Sequence, residues 1–217
     1  MEFTNLKIEI FLENSVAMQK NKAAFDSILA MLYFNDQKNK GTFNGDYEQH
    51  LDFLDMTDGV YHTSYPIFNG VKYYDKEKLI KKFDHEMYAK YGEITSKNGK
   101  ARGVVDTTTA KYKNEFYSIE RIGVTCITYY VRGNQEVIER LLKKLQFIGK
   151  KSSLGWGKVK YITIEEIKTD CSIFKDNKLM RNIRLNNAFG YKADKVKLSR
   201  LTHPYWSKTD LVECLVP

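Results

Sequence analysis

Apolar and polar residues alternate through Leu6 to Leu12 (LKIEIFL), the period of a half-buried strand, and Phe25, Ile28, Leu29 and Leu32 then recur at i, i+3, i+4 and i+7, the period of an amphipathic helix. Asn35 to Gln49 (NDQKNKGTFNGDYEQ) has no period and reads as a mobile loop, and Val60 to Ser64 is a candidate second strand. Pro66 and Gly70 bracket a turn, Val71 to Tyr74 fits a short strand, and Lys76 to Tyr91 has helical composition. Ile94 to Tyr117 carries Gly99, Gly103 and many lysines without an apolar face, as a protruding hairpin or loop would, so residues 65–117 read as an insertion. Ser118 to Val131 (SIERIGVTCITYYV) has the strongest strand pattern, with Ile122, Val124 and Cys126 on one face and Ile127, Tyr129 and Val131 on the other, which predicts a central strand. After a Gly133-Asn134 turn, Ile138, Leu141, Leu142 and Leu145 predict a helix over Gln135 to Gln146. A glycine-rich loop, Gly149 to Gly157, then runs into an alternating strand near Val159 to Glu166.

In order, these elements spell β-α-β-β-α-β, which predicts an α+β chain with a ferredoxin-like fold, also the scaffold of the RNA-recognition module. The expected domain spans residues 1–167, with the inserted hairpin or helical finger at about 65–117. Residues 168–217, basic and weakly periodic, form either a C-terminal extension or a degenerate second module.

Composition narrows the class. The chain has 217 residues, 42% hydrophobic and 13% aromatic, enough to build a core. A mean hydropathy of -0.50 and the lack of an apolar run near ~20 residues argue against a transmembrane helix. The opening MEFTNLKIEIFLEN places acids where a secretory signal carries positive charge, and Cys126, Cys171 and Cys214 have no disulfide or CxxC spacing, so the expected compartment is the cytoplasm. Charge is uneven: residues 1–96 hold 11 basic and 15 acidic groups (-4), residues 97–217 hold 24 and 12 (+12). A basic half of this kind suits a polyanion, nucleic acid first, and leaves the acidic half to face a protein neighbour.

The candidate chemistry concentrates in the glycine-rich loop. Arg140 to Lys160 contains seven basic residues and no acid. Gly149, Gly155 and Gly157 allow close backbone approach, so their amides, with Lys150, Lys151, Lys158, Ser152 and Ser153, suit a sugar-phosphate chain. A solvated helix-to-strand turn is the plainer reading. The G-x5-G-W-G spacing is not a P-loop. Trp156 either plugs the core or offers a stacking face. In Ala110 to Phe116 (AKYKNEF), Lys111 and Lys113 alternate with Tyr112, a pattern that suits single-stranded RNA and equally a charged hairpin. His50, His62, His85 and His203 are scattered, with no HExxH, GxSxG or Cys/His ligand spacing, so neither a metal nor a cofactor is expected. His62 with a tyrosine and a lysine is the one combination that could serve a metal-independent ribonuclease.

The helix, IGKKSSLGWG loop and strand resemble the glycine-rich signature of the RAMP superfamily, the ferredoxin-fold RNA-binding subunits of CRISPR effector complexes, with Gly155, Trp156 and Gly157 as its closing G-hydrophobic-G. AFDSILAMLYF, AKYKNEF, YYVRGNQEVIERLLKKLQFIGKKSSLGWGKV and HPYWSKTDLVECLVP are similar to segments of the type IV subunit that caps the guide-RNA 5′ handle. The resemblance implies a noncatalytic guide-RNA-binding subunit in a multi-subunit interference complex. Its partners would be the crRNA handle, the backbone and large subunits and, indirectly, the target nucleic acid. It assigns Gly149 to Lys158 to the guide backbone and residues 65–117 to a finger between handle and spacer. The early helix lacks the histidine of the repeat-cleaving relatives, which favours binding over cleavage; a metal-independent RAMP endoribonuclease processing the guide precursor is the alternative.

Overall fold

Leu6, Ile8 and Ile10 on strand β1 (Thr4–Leu12) are fully buried. They stand opposite Val131, Tyr129 and Ile127 of strand β7 (Cys126–Gly133). Strand β8 (Val159–Glu166) pairs on the other side of β1, setting Ile164 and Ile162 against Ile8 and Ile10. The computed structural model describes residues 2–18, 24–81, 115–185, 195–205 and 207–217. Strand β4 (Ile67–Asn69) completes a four-stranded sheet of order β4-β7-β1-β8, antiparallel at every step. Helices α1 (Phe25–Asn39) and α2 (Gln135–Leu142) touch each other and bury their apolar stripes in the core that the sheet's Leu6, Ile8 and Ile10 face belongs to. Phe25 stacks on Tyr129 with ring centroids 4.5 Å apart, and the Asn134 side chain caps α2 by accepting from Val137 N at 3.0 Å. The chain is thus α+β with mostly antiparallel pairing.

Three elements of the larger unit differ from the sequence expectation. Helix α1 runs through Asn39, into the stretch that reads as a loop, because buried Asp36 is held there by Lys40 at 2.9 Å and by Lys144 and Arg140 from the α2 end. The edge strand of the main sheet is Ile67–Asn69, whereas Val60–Tyr61 is strand β3, paired in a separate hairpin with β2 (Met56–Thr57). The long strand pattern breaks after Gly123: Thr125 N donates to Asn69 O and Gly70 O, at 3.0 and 3.2 Å, and a side chain on Gly123 would collide with the Tyr73 ring. Ile122 and Val124 consequently join the same core as Ile127 and Tyr129.

The chain divides into two compact units, Met1–Tyr73 with Ile122–Pro217, and Tyr74–Arg121. The first boundary falls later than residue 65 because Ile67–Asn69 is part of the main sheet. Strands β5 (Tyr73–Lys81) and β6 (Glu115–Gly123) pair with each other. Lys76 to Lys81 is therefore extended, not helical, and cross-strand charges favour the pairing: Arg121 reaches Asp75 and Glu77 at 2.6 and 2.9 Å, and Lys76 reaches Glu120 at 3.2 Å. Residues 82–114, with the remainder of the expected finger, lie outside the described residues.

The C-terminal stretch holds a hairpin, β9 (Phe174–Lys175) and β10 (Lys178–Leu179), whose Asp176-Asn177 turn has φ of 49° and 58°. It also holds a small sheet, β11 (Ile183–Arg184), β12 (Val196–Ser199) and β13 (Val212–Leu215), with β13 central. The three cysteines are free.

Arg181 fastens this stretch to the rest of the unit. Its guanidinium is buried and donates to Tyr61 O, Thr63 Oγ1 (2.7 Å), Leu201 O (2.6 Å) and Tyr205 Oη (3.1 Å), with the Asp26 carboxylate 3.5 Å away. Asp26, also buried, accepts from the Thr63 and Tyr205 hydroxyls at 2.9 and 2.7 Å. Removing one partner of such a pair strands the other, so Arg181→Met is expected to destabilise the protein by ~3–5 kcal/mol in urea unfolding. Adding Asp26→Asn should recover part of that loss, and a loss under ~1 kcal/mol would show that the network does not hold the unit together.

A pH dependence follows from Asp36, whose carboxyl is lowered from 3.8 to about 2 by hydrogen bonds from Lys144 and Lys40 against the opposing effect of burial. A depressed carboxylate adds stability that is complete above its unfolded value and lost as the pH falls through 3.8 toward about 2. Asp36→Asn should therefore lower the melting temperature at pH 7 and flatten the acid limb of the profile, measured by calorimetry between pH 2 and 7.

Candidate nucleic-acid interface

The glycine-rich loop has a locked base and an exposed tip. At the base, Ile148 N donates to Gly157 O and Val159 N to Gln146 O, both at 2.9 Å, so the segment after α2 pairs with the start of β8. Gly157 (φ +68°) leaves no room for a Cβ, which would overlap Ile148 O, and its N–H donates to Ser15 O at 2.9 Å. Gly149 (φ +88°) is pressed against Val16 and Ala17, and Lys150 N donates to Ala17 O at 2.9 Å. Asn14 finishes the lock by donating to Gly155 O at 2.6 Å and accepting from Lys158 N at 3.1 Å. Trp156 is buried, so its ring packs inward and offers no face to solvent.

At the tip, Lys151 takes a left-handed conformation (φ +64°) and opens a single 3-10 turn, Ser152–Leu154, closed by Leu154 N to Lys151 O and Gly155 N to Ser152 O. Lys150, Ser152, Ser153 and Leu154 are exposed. The amides of Lys150, Leu154, Gly155, Gly157 and Lys158 are thus all engaged within the protein. Of the three glycines expected to offer amides to phosphate, Gly155 and Gly157 therefore spend theirs within the protein, while the Lys150, Ser152 and Ser153 side chains stand at the exposed surface.

The run of positive charge is likewise partly neutralised by partners remote in sequence. Arg140 and Lys144 turn to Asp36, and Lys158 meets Glu13 at 2.8 Å. Arg132–Asp55, Arg181–Asp26 and Arg200–Glu48 repeat the theme, so the acidic N-terminal half spends several of its carboxylates on the basic half of its own chain. Lys143, Lys150 and Lys160 are exposed and have no ion pair among the described residues. Lys143 and Lys160 border a groove of about 700 Å³ between α2 and β8, with Leu142, Leu145, Phe147, Ile162 and Ile164 along its floor. Tyr161, in the same lining and 48% exposed, stacks on Phe11 at 4.3 Å. Tyr161 and Phe11 are the aromatic pair that the sequence reading passed over; the alternation of VKYITIEE already put Tyr161 on the face away from Ile162 and Ile164. The sheet face beyond them is less suited to an anion, since Lys7 is drawn between Glu9 and Glu165 at 3.2 and 3.7 Å.

Among the described residues, the other sequence candidates do not converge on this loop. Lys111, Tyr112 and Lys113 lie outside the described residues, as does His85. His50 and buried His203 both stack on Tyr61, and burial pushes the His203 imidazole below its ordinary value. His62 borders a separate cavity in whose lining, among the described residues, there is neither tyrosine nor lysine. Among the described residues no group of three His, Cys, Asp or Glu is placed to hold a metal, and no helix is long and apolar enough to cross a membrane.

The two glycines of the loop can be told apart by mutation. Gly157→Ala should cost about 2 kcal/mol, a fall in melting temperature of roughly 4–8 °C, because strain and collision add. Gly155→Ala, with nothing within 4 Å of the added carbon, should cost about half as much through its φ alone. Equal melting temperatures would mean that the base is not locked.

Residues 4–217 match the model of a family described as CRISPR type IV associated protein Csf3. No curated protein matches the chain.

Proposed function

We propose a role that starts from kinship: the chain belongs to the Csf3 family of CRISPR type IV associated proteins, and within a type IV complex it is a noncatalytic subunit that holds the 5′ handle of the guide RNA. Family membership implies companion CRISPR subunits. On this reading the chain works in a ribonucleoprotein assembly of the cytoplasm. The strand order β4-β7-β1-β8, with α1 between β1 and β4 and α2 between β7 and β8, supports a ferredoxin-like RAMP module as the scaffold.

The observation that carries the reading is the pairing of a rigid loop base with an exposed basic tip. A loop whose glycines are fixed against residues 14–17 loses little freedom when it engages a ligand. Lys150 on it, with Lys143 and Lys160 along the adjoining groove, offers cations that no carboxylate of the described structure neutralises. Phosphate binding would supply affinity, and the Phe11–Tyr161 pair, rather than Trp156, provides the surface on which a splayed base can stack.

Replacing Lys150, Lys151 and Lys160 together by alanine should weaken binding of a single-stranded guide RNA and flatten its salt dependence, by ~0.7 in the slope of log K against log salt for each phosphate no longer neutralised. Lys158→Ala, already paired with Glu13, should have the smaller effect. An unchanged slope in the triple variant removes the loop from the interface. Repeat RNA incubated with the protein in EDTA should be retained intact; discrete cleavage that disappears in His62→Ala would establish the endoribonuclease instead.

A further inference from the structure

At the end of β1 remote from the glycine-rich loop, the β2–β3 hairpin folds over a cavity of about 380 Å³. Its Asp58-Gly59 turn has φ of 52° and 76°, the conformation that brings Thr57 back over His62. The apolar walls are Val60, Ile173, Phe174 and Ile183. The polar end is a relay: His62 Nδ1 donates to Asp170 Oδ2 at 2.6 Å, and Thr57 Oγ1 lies 2.9 Å from His62 Nε2. Asp170 is itself fixed by Ser172 N, which donates to Oδ1 at 2.8 Å. Burial pushes the Asp170 carboxyl up, but the hydrogen bonds from His62 and Ser172 outweigh it and hold the group below its ordinary value, so it is an anion. The Asp170 carboxylate accepts from Nδ1, which fixes the ring so that Nε2 faces the Thr57 hydroxyl. The Thr57 hydroxyl, in the lining of the cavity, keeps hydrogen-bonding capacity for a ligand there.

This is an apolar slot with hydrogen-bonding groups at one end, the make-up of a small-molecule site and wide enough for one aromatic ring system. A cation stands beside it. Arg184 follows Ile183 in the chain, is exposed, and has no carboxylate partner among the described residues. Its Nη2 would lie 3.7 Å from a carbon added to Gly59, so the guanidinium approaches the hairpin turn. A guanidinium in that position is suited to a phosphate, which it can grip with two parallel N–H groups.

A ligand with a flat ring, a hydrogen-bonding edge and an anion one sugar away is a nucleotide. We propose that this cavity is a nucleotide subsite, with the base in the slot between its apolar walls, its edge on Thr57, and its phosphate on Arg184. The nine residues of β1 put about 27 Å between this pocket and the glycine-rich loop, so the subsite does not depend on the loop gripping RNA.

The test is a titration of the isotopically labelled full chain with AMP, GMP, CMP and UMP, each alone, followed by the imidazole resonances of His62 and the amides of Thr57 and Gly59. At least one nucleotide should shift these signals saturably. Arg184→Ala should weaken that nucleotide about tenfold while leaving the corresponding nucleoside unchanged, and Thr57→Val should weaken both about tenfold. Both positions are exposed, so the variants are expected to keep the wild-type spectrum elsewhere. The Lys150, Lys151 and Lys160 triple variant should bind the mononucleotide as the parent does, which separates this result from the fate of the loop. No shift at His62 with any of the four at about 10 mM, or binding indifferent to both Arg184→Ala and Thr57→Val, overturns the proposal.

Discussion

A guanidinium without access to water sets the terms for the larger unit. Arg181 cannot stay buried without acceptors, and it finds them on Tyr61, Thr63, Leu201 and Tyr205 around the carboxylate of Asp26. Those acceptors belong to the first turn of α1, to β3 and the residues just after it, and to the C-terminal stretch, so satisfying one side chain fixes three parts of the fold at once. Backbone bonds reinforce the junction: Phe25 N donates to Ser64 O at 3.1 Å, and Tyr65 N to Met180 O at 2.8 Å. Ile173, Phe174 and Ile183 stand beside Val60 and His62 because of this junction, and the cavity they line inherits its rigidity.

Charge acts in this chain mainly by recruitment over long sequence separations. Read along the sequence, the basic half and the acidic half suggest two surfaces for two partners. In the fold, Asp36, Glu13, Asp55, Asp26 and Glu48 draw Lys144, Lys158, Arg132, Arg181 and Arg200 onto themselves. Apart from the buried Asp26–Arg181 pair, these ion pairs add little to stability singly. Their larger effect is to thin the positive field, leaving Lys143, Lys150 and Lys160 as exposed lysines with no ion pair among the described residues.

Local periodicity made β1, α1, β7, α2 and β8 legible, since each buries one face or stripe and shows it in its spacing. Ile67–Asn69 was not, because three residues carry no period. The last turn of α1 was hidden because its support comes from Lys144 and Arg140, beyond any local window. The glycine-rich loop was found from composition, but the use of its amides depends on Asn14 to Ala17, which no reading of the loop itself can supply. His62 is the sharpest case: as a lone histidine it says little, and its character comes from Asp170, 108 residues away.

Synthesis runs from Asp26 toward Arg181, so a nascent chain carries the acidic half of the junction long before its counterpart leaves the ribosome. Until then the N-terminal turn of α1 has an anion with no cation to enclose it. Completion of this unit is therefore a late event in translation. A ribosome that stalls before the codon for Arg181 releases a polypeptide holding the sheet and both helices but lacking the residue that closes them, a product open to the cell's proteases.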